Sequence, residues 1–237
     1  MDRTLQFREA GYIVTCPLNS GEKLAAYRLR GDVFRRELRW SGNPCDLLDT
    51  DEFDHAAAHI AVLSPQQTII GTLRVIGSAY PWMLDTCFSH LVPPAHILLR
   101  EANTCEISRL AIVRTERARP ITSGVTIADL LYKGLFLYCH AQGIRYGYMV
   151  VSRGALKHLR ARGLPCVQAG QFTRMPDGVS AVLARLDWVE FLSHAQRHHP
   201  ALLRWYLQHD GTTACGTIAE APLRAGKLHS QPLHEPT

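Results

Sequence analysis

Leu24, Tyr27, Phe34 and Leu38 recur at near-helical spacing through residues 22–40, with Asn19 or Ser20 placed to cap the first turn ahead of Glu22 and Lys23. The pattern predicts an amphipathic helix interrupted by Gly31, then a polar, turn-rich loop over 41–51. Two β-rich runs, 59–63 and 68–76, flank SPQQ and read as antiparallel strands joined by a tight turn. The segment PWMLDTCFSHLVPP is apolar, compact and closed by prolines. In the next strand, 105–113, Glu106, Ser108 and Leu110 alternate against Ile107, Arg109 and Ala111, so both faces carry a charge.

After RTERARP the apolar residues of 127–142 keep a helical period that ends at Gly143, a residue suited to the position just past a helix. A strand over 146–151, a short basic helix over 154–161 stopped by Gly163 and Pro165, a strand over 179–186 and a His-rich helical segment over 188–208 complete the pattern. Beyond Asp210 periodicity stops. Residues 1–210 are expected to form one domain and 211–237 a poorly ordered tail. The element order predicts an α/β fold, one mixed twisted sheet with helices on both faces.

An apolar content of 46% in 237 residues supports one sizeable core rather than two domains. No run approaches the ~18 apolar residues of a membrane span, and MDRTLQFREAGY lacks a secretory apolar stretch, so a cytoplasmic location is expected. Cysteines 16, 45, 87, 105, 139, 166 and 215 are scattered with no C-x-x-C pair, which argues against a disulfide framework and a zinc ribbon. A net charge of +5 implies an acidic partner. The basic residues are not interleaved with aromatics, so nucleic acid ranks below acidic proteins and nucleotide-bearing cofactors.

Charge placement changes the picture more than charge balance does. LRGDVFRRELRW (29–40), DEFD (51–54), EISRL (106–110) and Arg74 within TIIGTLRVIG set charged residues among apolar neighbours. Buried charge is costly unless paired or bound to something charged. The residues therefore mark either a site or a structural ion-pair network.

YRLRGDVFRRELRW, DEFD, TLRVIGS, MLDTCFSHL and EISRLAI resemble, in order and with comparable gaps, the successive blocks of the LuxI-type acyl-homoserine-lactone synthases. The family's Arg, Phe and Trp, its two Asp, its Arg, and its Glu and Arg are matched by Arg30, Phe34, Trp40, Asp51, Asp54, Arg74, Glu106 and Arg109. The likeness spans residues 11–185 and includes GYMVVSRGALKHLRARG (147–163). It implies an N-acyltransferase (GNAT)-like three-layer sandwich with the acyl donor between two splayed strands.

The resemblance implies a reaction between S-adenosylmethionine, a substrate rather than a cofactor, and an acyl thioester on acyl carrier protein or coenzyme A. The amine attacks the thioester, and the methionine carboxylate then closes on its own γ-carbon, releasing methylthioadenosine. Neither a metal nor a protein nucleophile is implied. Glu106 is the expected base, since a free α-amine of pKa near ~8 needs little help. Arg74, Arg109 and Asp51 join it in the catalytic set. Arg30, Phe34, Trp40, Asp51, Asp54 and Ser108 are expected to hold S-adenosylmethionine, the two Asp facing its positive charge and the aromatics its adenine or sulfonium.

Met83, Leu84, Phe88, Met149 and Val151 are expected to line the acyl slot. Met149 stands where some family members carry a Thr associated with 3-oxo chains, which favours a chain without that group. Arg145, Arg153, Lys157 and Arg160 form the expected docking patch for an acidic carrier.

Other readings compete. His194 and His198 at i, i+4 lack a third ligand of fixed spacing, and Cys105 lacks an assigned base. A related N-acyl amino acid synthase would share the first block and EISRLAI but make no lactone. A non-catalytic module would bind an acylated carrier or an adenosyl ligand without turnover.

Overall fold

The computed structural model describes residues 4–40, 42–94, 98–122 and 124–208. The expected tail, with Cys215, lies outside the described residues. Asn19 starts the first helix: its Oδ1 accepts from the Glu22 N–H at 2.9 Å while its own N–H donates to Glu22 Oε2 at 2.9 Å. Helix α1 covers Ser20–Arg30. Gly31 does not break it. The chain continues as a π-helix over Gly31–Glu37, closed by the Leu38 N–H on the Val33 carbonyl at 2.9 Å.

Glycine is required at 31 for another reason. A Cβ there would stand 2.4 Å from the Leu47 carbonyl oxygen, so only glycine lets the 47–49 segment cross the helix. Leu24, expected on the apolar face, is exposed; Ala26, Leu29, Val33 and Phe34 form the buried face instead.

Among the described residues the main sheet has eight strands, in the order β1 (Leu5–Glu9), β2 (Tyr12–Cys16), β3 (Ala57–Leu63), β4 (Ile69–Gly77), β5 (Thr104–Ile112), β8 (Tyr146–Ser152), β10 (Ser180–Asp187), β9 (Val167–Arg174). Strands β1 (Leu5–Glu9) and β2 (Tyr12–Cys16) form a hairpin that the polar/apolar pattern did not predict. Ala10 and Gly11 at its turn both have positive φ, the twist a two-residue hairpin needs. As expected, β3 (Ala57–Leu63) pairs antiparallel with β4 (Ile69–Gly77), and β4 then pairs with β5 (Thr104–Ile112). A small ribbon, β6 (Pro120–Thr122) with β7 (Val125–Thr126), precedes helix α2 (Ile127–Gln142), and Gly143 caps α2 at φ 70°.

Helix α2 is the crossover to β8 (Tyr146–Ser152), which runs parallel to β5. Helix α3 (Arg153–Ala161) leads to a further strand that the pattern did not predict, β9 (Val167–Arg174), and then to β10 (Ser180–Asp187). The expected single helix over 188–208 is two, α4 (Trp188–His198) and α5 (Pro200–Leu207), because Pro200 cannot continue the preceding turn.

One sheet face packs under α2, with Leu156, Leu159, Trp188 and Phe191 from the later helices. The other is covered by α1 and the π-helix at one end and by a patch of Phe53, Trp82, Met83 and Leu84 at the other. Three layers result. Lys133 of α2 is buried, bonded to Glu9 Oε2 at 3.1 Å and 4.5 Å from the Trp205 ring centroid, so it joins β1, α2 and α5. Among the described residues no helix is long and apolar enough to cross a membrane.

Candidate active site

Thr72 pairs with Ala111 and Arg74 with Ser108, so Leu73 alone faces both Arg109 and Leu110. That is a β-bulge, and Arg109 takes φ 53° to make it. The strict alternation expected of this strand is therefore broken. Arg109 joins Glu106 and Ser108 on one face instead of opposing them, and Leu110 is exposed.

Three guanidinium and three carboxylate groups meet on that face. Arg30 donates through Nε to Asp49 Oδ2 at 3.0 Å and through Nη1 and Nη2 to the two oxygens of Asp54 at 2.7 and 3.1 Å. Arg74 donates to Ser108 Oγ at 3.0 Å, Asp51 Oδ1 at 2.5 Å and Asp54 Oδ1 at 2.9 Å. Arg109 donates to Asp49 Oδ2 and Asp51 Oδ2, each at 2.9 Å. Burial alone would raise the Asp54 carboxyl, but its bonds to Arg30 and the nearby charges hold it at about 2.

This geometry corrects the expected role of the aspartates. Asp51 and Asp54 are committed to arginines rather than free for a cationic substrate, and they cap a short turn, Glu52–Ala56, that carries them to the sheet. Sequence reasoning missed Asp49 and His59. Asp49 lies in a stretch that read as a plain polar loop, yet it is buried. His59, on β3 opposite Arg74, sits 3.7 Å from Asp54 Oδ1, and burial first of all lowers its pKa to about 4.

Glu106 is 2% exposed. Its Oε2 accepts from the Leu84 N–H at 2.9 Å, while Oε1 is buried without a hydrogen-bond partner. Burial pushes this carboxyl above the ordinary range, against the lowering influence of the Leu84 and Met83 N–H groups and Arg74. One oxygen is positioned, and the other keeps its acceptor capacity at the cavity wall. That is the arrangement a general base needs.

Strands β5 and β8 share register only from Thr104–Tyr146 to Glu106–Tyr148 and then diverge. The opening holds a cavity of about 260 Å³, whose walls include Glu106, Ser108, Arg109, Phe34, Trp40, Met83, Phe88 and Val151. Phe34 and Trp40 stand 6.2 Å apart between centroids, and the Arg109 guanidinium is 5.5 Å from the Phe34 centroid. Trp40 is 42% exposed, a large aromatic surface at a cavity rim.

Of the expected acyl-slot residues, Met83, Phe88 and Val151 line this cavity. Leu84 is buried in the adjoining patch with Trp82 and Tyr148. Met149 is corrected: it is buried in the main core with α2, and β8 contributes Val150, Val151 and Ser152 to the cavity wall instead. Met149 is therefore not placed to read the 3-position of an acyl chain in this cavity.

Arg145 is also corrected. Standing just before the first residue of β8, it is fixed bidentately on Asp187, and it stacks on Tyr146, so it does not join the α3 patch. Arg153 lies 4.2 Å from the Phe172 centroid, Arg160 bonds the Cys166 carbonyl at 2.9 Å, and Lys157 is exposed. The His194 and His198 ring centroids are 4.8 Å apart with the rings tilted by 43°, and no group of three metal-ligating side chains occurs among the described residues. Cys105 is fully buried against Cys139, which with desolvation holds its thiol well above the ordinary range and unreactive.

A splayed parallel pair, a bulge beside it and a buried carboxylate at the fork enclose the cavity. A family model described as autoinducer synthase matches residues 18–191. The chain belongs to the autoinducer synthase family, a family of acyltransferases. It is 29% identical to an acyl-homoserine-lactone synthase of Aeromonas hydrophila over 149 residues, 61% of this chain and 69% of that one. With the acyl-homoserine-lactone synthase of Pseudomonas amygdali pv. tabaci it shares 31% identity over 167 residues, 69% and 70% of the two chains. Its fold is similar to that of the CoA-dependent acyl-homoserine lactone synthase BjaI, solved with SAM and isopentyl-CoA, at TM-score 0.62 and 20% identity over 74% of this chain and 81% of that one.

Proposed function

We propose that this protein makes an N-acyl-L-homoserine lactone from S-adenosylmethionine and an acyl thioester. The observation that carries this reading is Glu106: buried at the fork of β5 and β8, with Oε1 unpartnered and the cavity in front of it. Glu106 takes the proton that the substrate amine loses as its nitrogen attacks the thioester carbonyl. Backbone N–H groups on the diverging strand edges receive the oxyanion, and the thiol leaves with the acyl–sulfur electron pair and a proton. The methionine carboxylate then attacks its own γ-carbon. The carbon–sulfur bond breaks, its electrons neutralise the sulfonium, and methylthioadenosine departs as the lactone closes.

The arginine–aspartate network fixes the walls for these steps rather than supplying a reactive group. Arg109, the most accessible of the three guanidiniums at 15% side-chain exposure, is placed to orient the substrate carboxylate. The acyl chain occupies the apolar part of the cavity beside Met83, Phe88 and Val151. The donor is carried on acyl carrier protein or coenzyme A, with the exposed residues of α3 facing the carrier.

The test is mass spectrometry of spent medium from expressing cells, with in vitro release of methylthioadenosine. Acyl lactones together with methylthioadenosine are expected. Acyl amino acids without methylthioadenosine would replace this reading with an N-acyl amino acid synthase, and ligand binding without turnover would make the protein a binding module. Glu106→Gln is expected to slow methylthioadenosine release by about 10²- to 10⁴-fold with the fold intact. Full activity in that variant would remove Glu106 from the role of base.

A further inference from the structure

Charge accounting at the cavity leaves one carboxylate without a role. Asp49, Asp51 and Asp54 are bonded to Arg30, Arg74 and Arg109, and among the described residues the cavity wall itself carries two acidic side chains, Glu106 and Asp177. Glu106 serves the reacting end. Asp177 is exposed at the tip of the β9–β10 hairpin, and no ion pair engages it among the described residues.

The tip is built to hold that carboxylate at the rim. Asp177 Oδ1 accepts from the Val179 N–H at 2.9 Å, and the turn is braced by the Met175 N–H on the Val179 carbonyl and the Gly178 N–H on the Met175 carbonyl, each 2.8 Å. Oδ2 keeps its acceptor capacity. Register gives its depth: Glu106 is level with Tyr148, Ala181 with Ser152, and the tip lies beyond Ala181. Four residues of strand are about 13 Å at about 3.3 Å each. Asp177 is thus at the far rim from the base, on the same cavity as Trp40.

A substrate whose amine meets Glu106 presents its nucleoside end, not its amine, at such a distance. Resting on the function proposed above, we propose that Asp177 binds the adenosyl end of S-adenosylmethionine, its carboxylate accepting from the ribose hydroxyls while Trp40 covers the base. A carboxylate is a strong acceptor for a vicinal diol, and the aromatic face supplies the apolar contact that the sugar does not.

Calorimetry with S-adenosylmethionine, methylthioadenosine and the 2′,3′-dideoxy form of methylthioadenosine tests this on the wild-type chain, Asp177→Asn and Asp177→Glu. Asparagine keeps an oxygen for the Val179 N–H, so the melting temperature should match the wild type. D177N is expected to weaken S-adenosylmethionine and methylthioadenosine alike, by about five- to tenfold, and to leave the dideoxy compound unchanged. D177E should recover part of the loss. If D177N weakens S-adenosylmethionine but not methylthioadenosine, the carboxylate acts on the charged end and the proposal is overturned. Equal binding of both by wild type and D177N overturns it too, with the proposed function intact, whereas a wild-type chain that binds neither ligand removes that function and this inference together.

Discussion

His59 lies behind Asp54, and both its ring nitrogens are buried without a hydrogen-bond partner. Its pKa falls from 6.5 to about 4, through burial first and the Arg30 and Arg74 charges after it, against the opposing pull of Asp54. Between those two values the unfolded chain binds a proton that the folded chain refuses. Stability from this residue is therefore present above about pH 6.5 and lost as the pH falls towards 4, by at most a few kcal/mol at about 1.4 kcal/mol per unit. Asp54 acts lower, its share being lost between 3.8 and about 2. Urea unfolding of wild type and His59→Phe at pH 7, 5.5 and 4.5 separates the two windows. The wild type should lose stability relative to His59→Phe as the pH drops, and a constant difference would show that His59 does not titrate on unfolding. Glu106 has the opposite sign: its raised carboxyl makes the ionised form a liability, so E106Q should gain stability relative to wild type as the pH rises.

The α1–π-helix unit is where one element decides the site. The 47–49 segment crosses at Gly31, the Asp49 N–H bonds the Tyr27 carbonyl at 3.1 Å, and Asp49 then reaches both Arg30 and Arg109. Gly31→Ala should push that segment off the helix and cost about 1–3 kcal/mol, as overpacking does. Methylthioadenosine release should fall as well, because Asp49 is displaced from Arg109. Normal stability and activity in G31A would mean the crossing is not needed. Local pattern made this element only half legible. Long periodic runs such as Ile127–Gln142 and the β3–β4 hairpin were readable because many residues repeat one signal. By contrast, the Leu5–Glu9 hairpin offers five residues and a turn without Asn-Gly, and Val167–Arg174 alternates weakly because most of it is exposed. The bulge at Arg109 has no composition signal at all, since φ 53° is imposed by pairing with β4. The site residues were nevertheless legible as charges in apolar runs, whereas their partner Asp49 was hidden in a loop that reads as solvent-facing.

At the scale of the whole molecule, sequence order separates the two ends of β8, and that decides which basic residues act together. Arg145, before the strand, is neutralised by Asp187. Ser152, at its other end, both lines the cavity and caps α3 through the Ala155 N–H at 3.2 Å, so Arg153 and Lys157 rise directly from the cavity wall. Under the proposed reaction, a thioester delivered on an acidic carrier would pass this helix, and a chain of net charge +5 would favour that encounter from a distance. Lys157 is the cleanest probe because Arg160 also bonds the Cys166 carbonyl and its loss would disturb the 160–166 loop. Lys157→Glu should raise the KM for carrier-borne donor by about fivefold at low salt and flatten its salt dependence, with kcat held and the KM for the same acyl group on coenzyme A moving less. An unchanged KM for the carrier-borne donor at low salt would exclude Lys157 from the docking surface and move the search to the other basic residues around the fork.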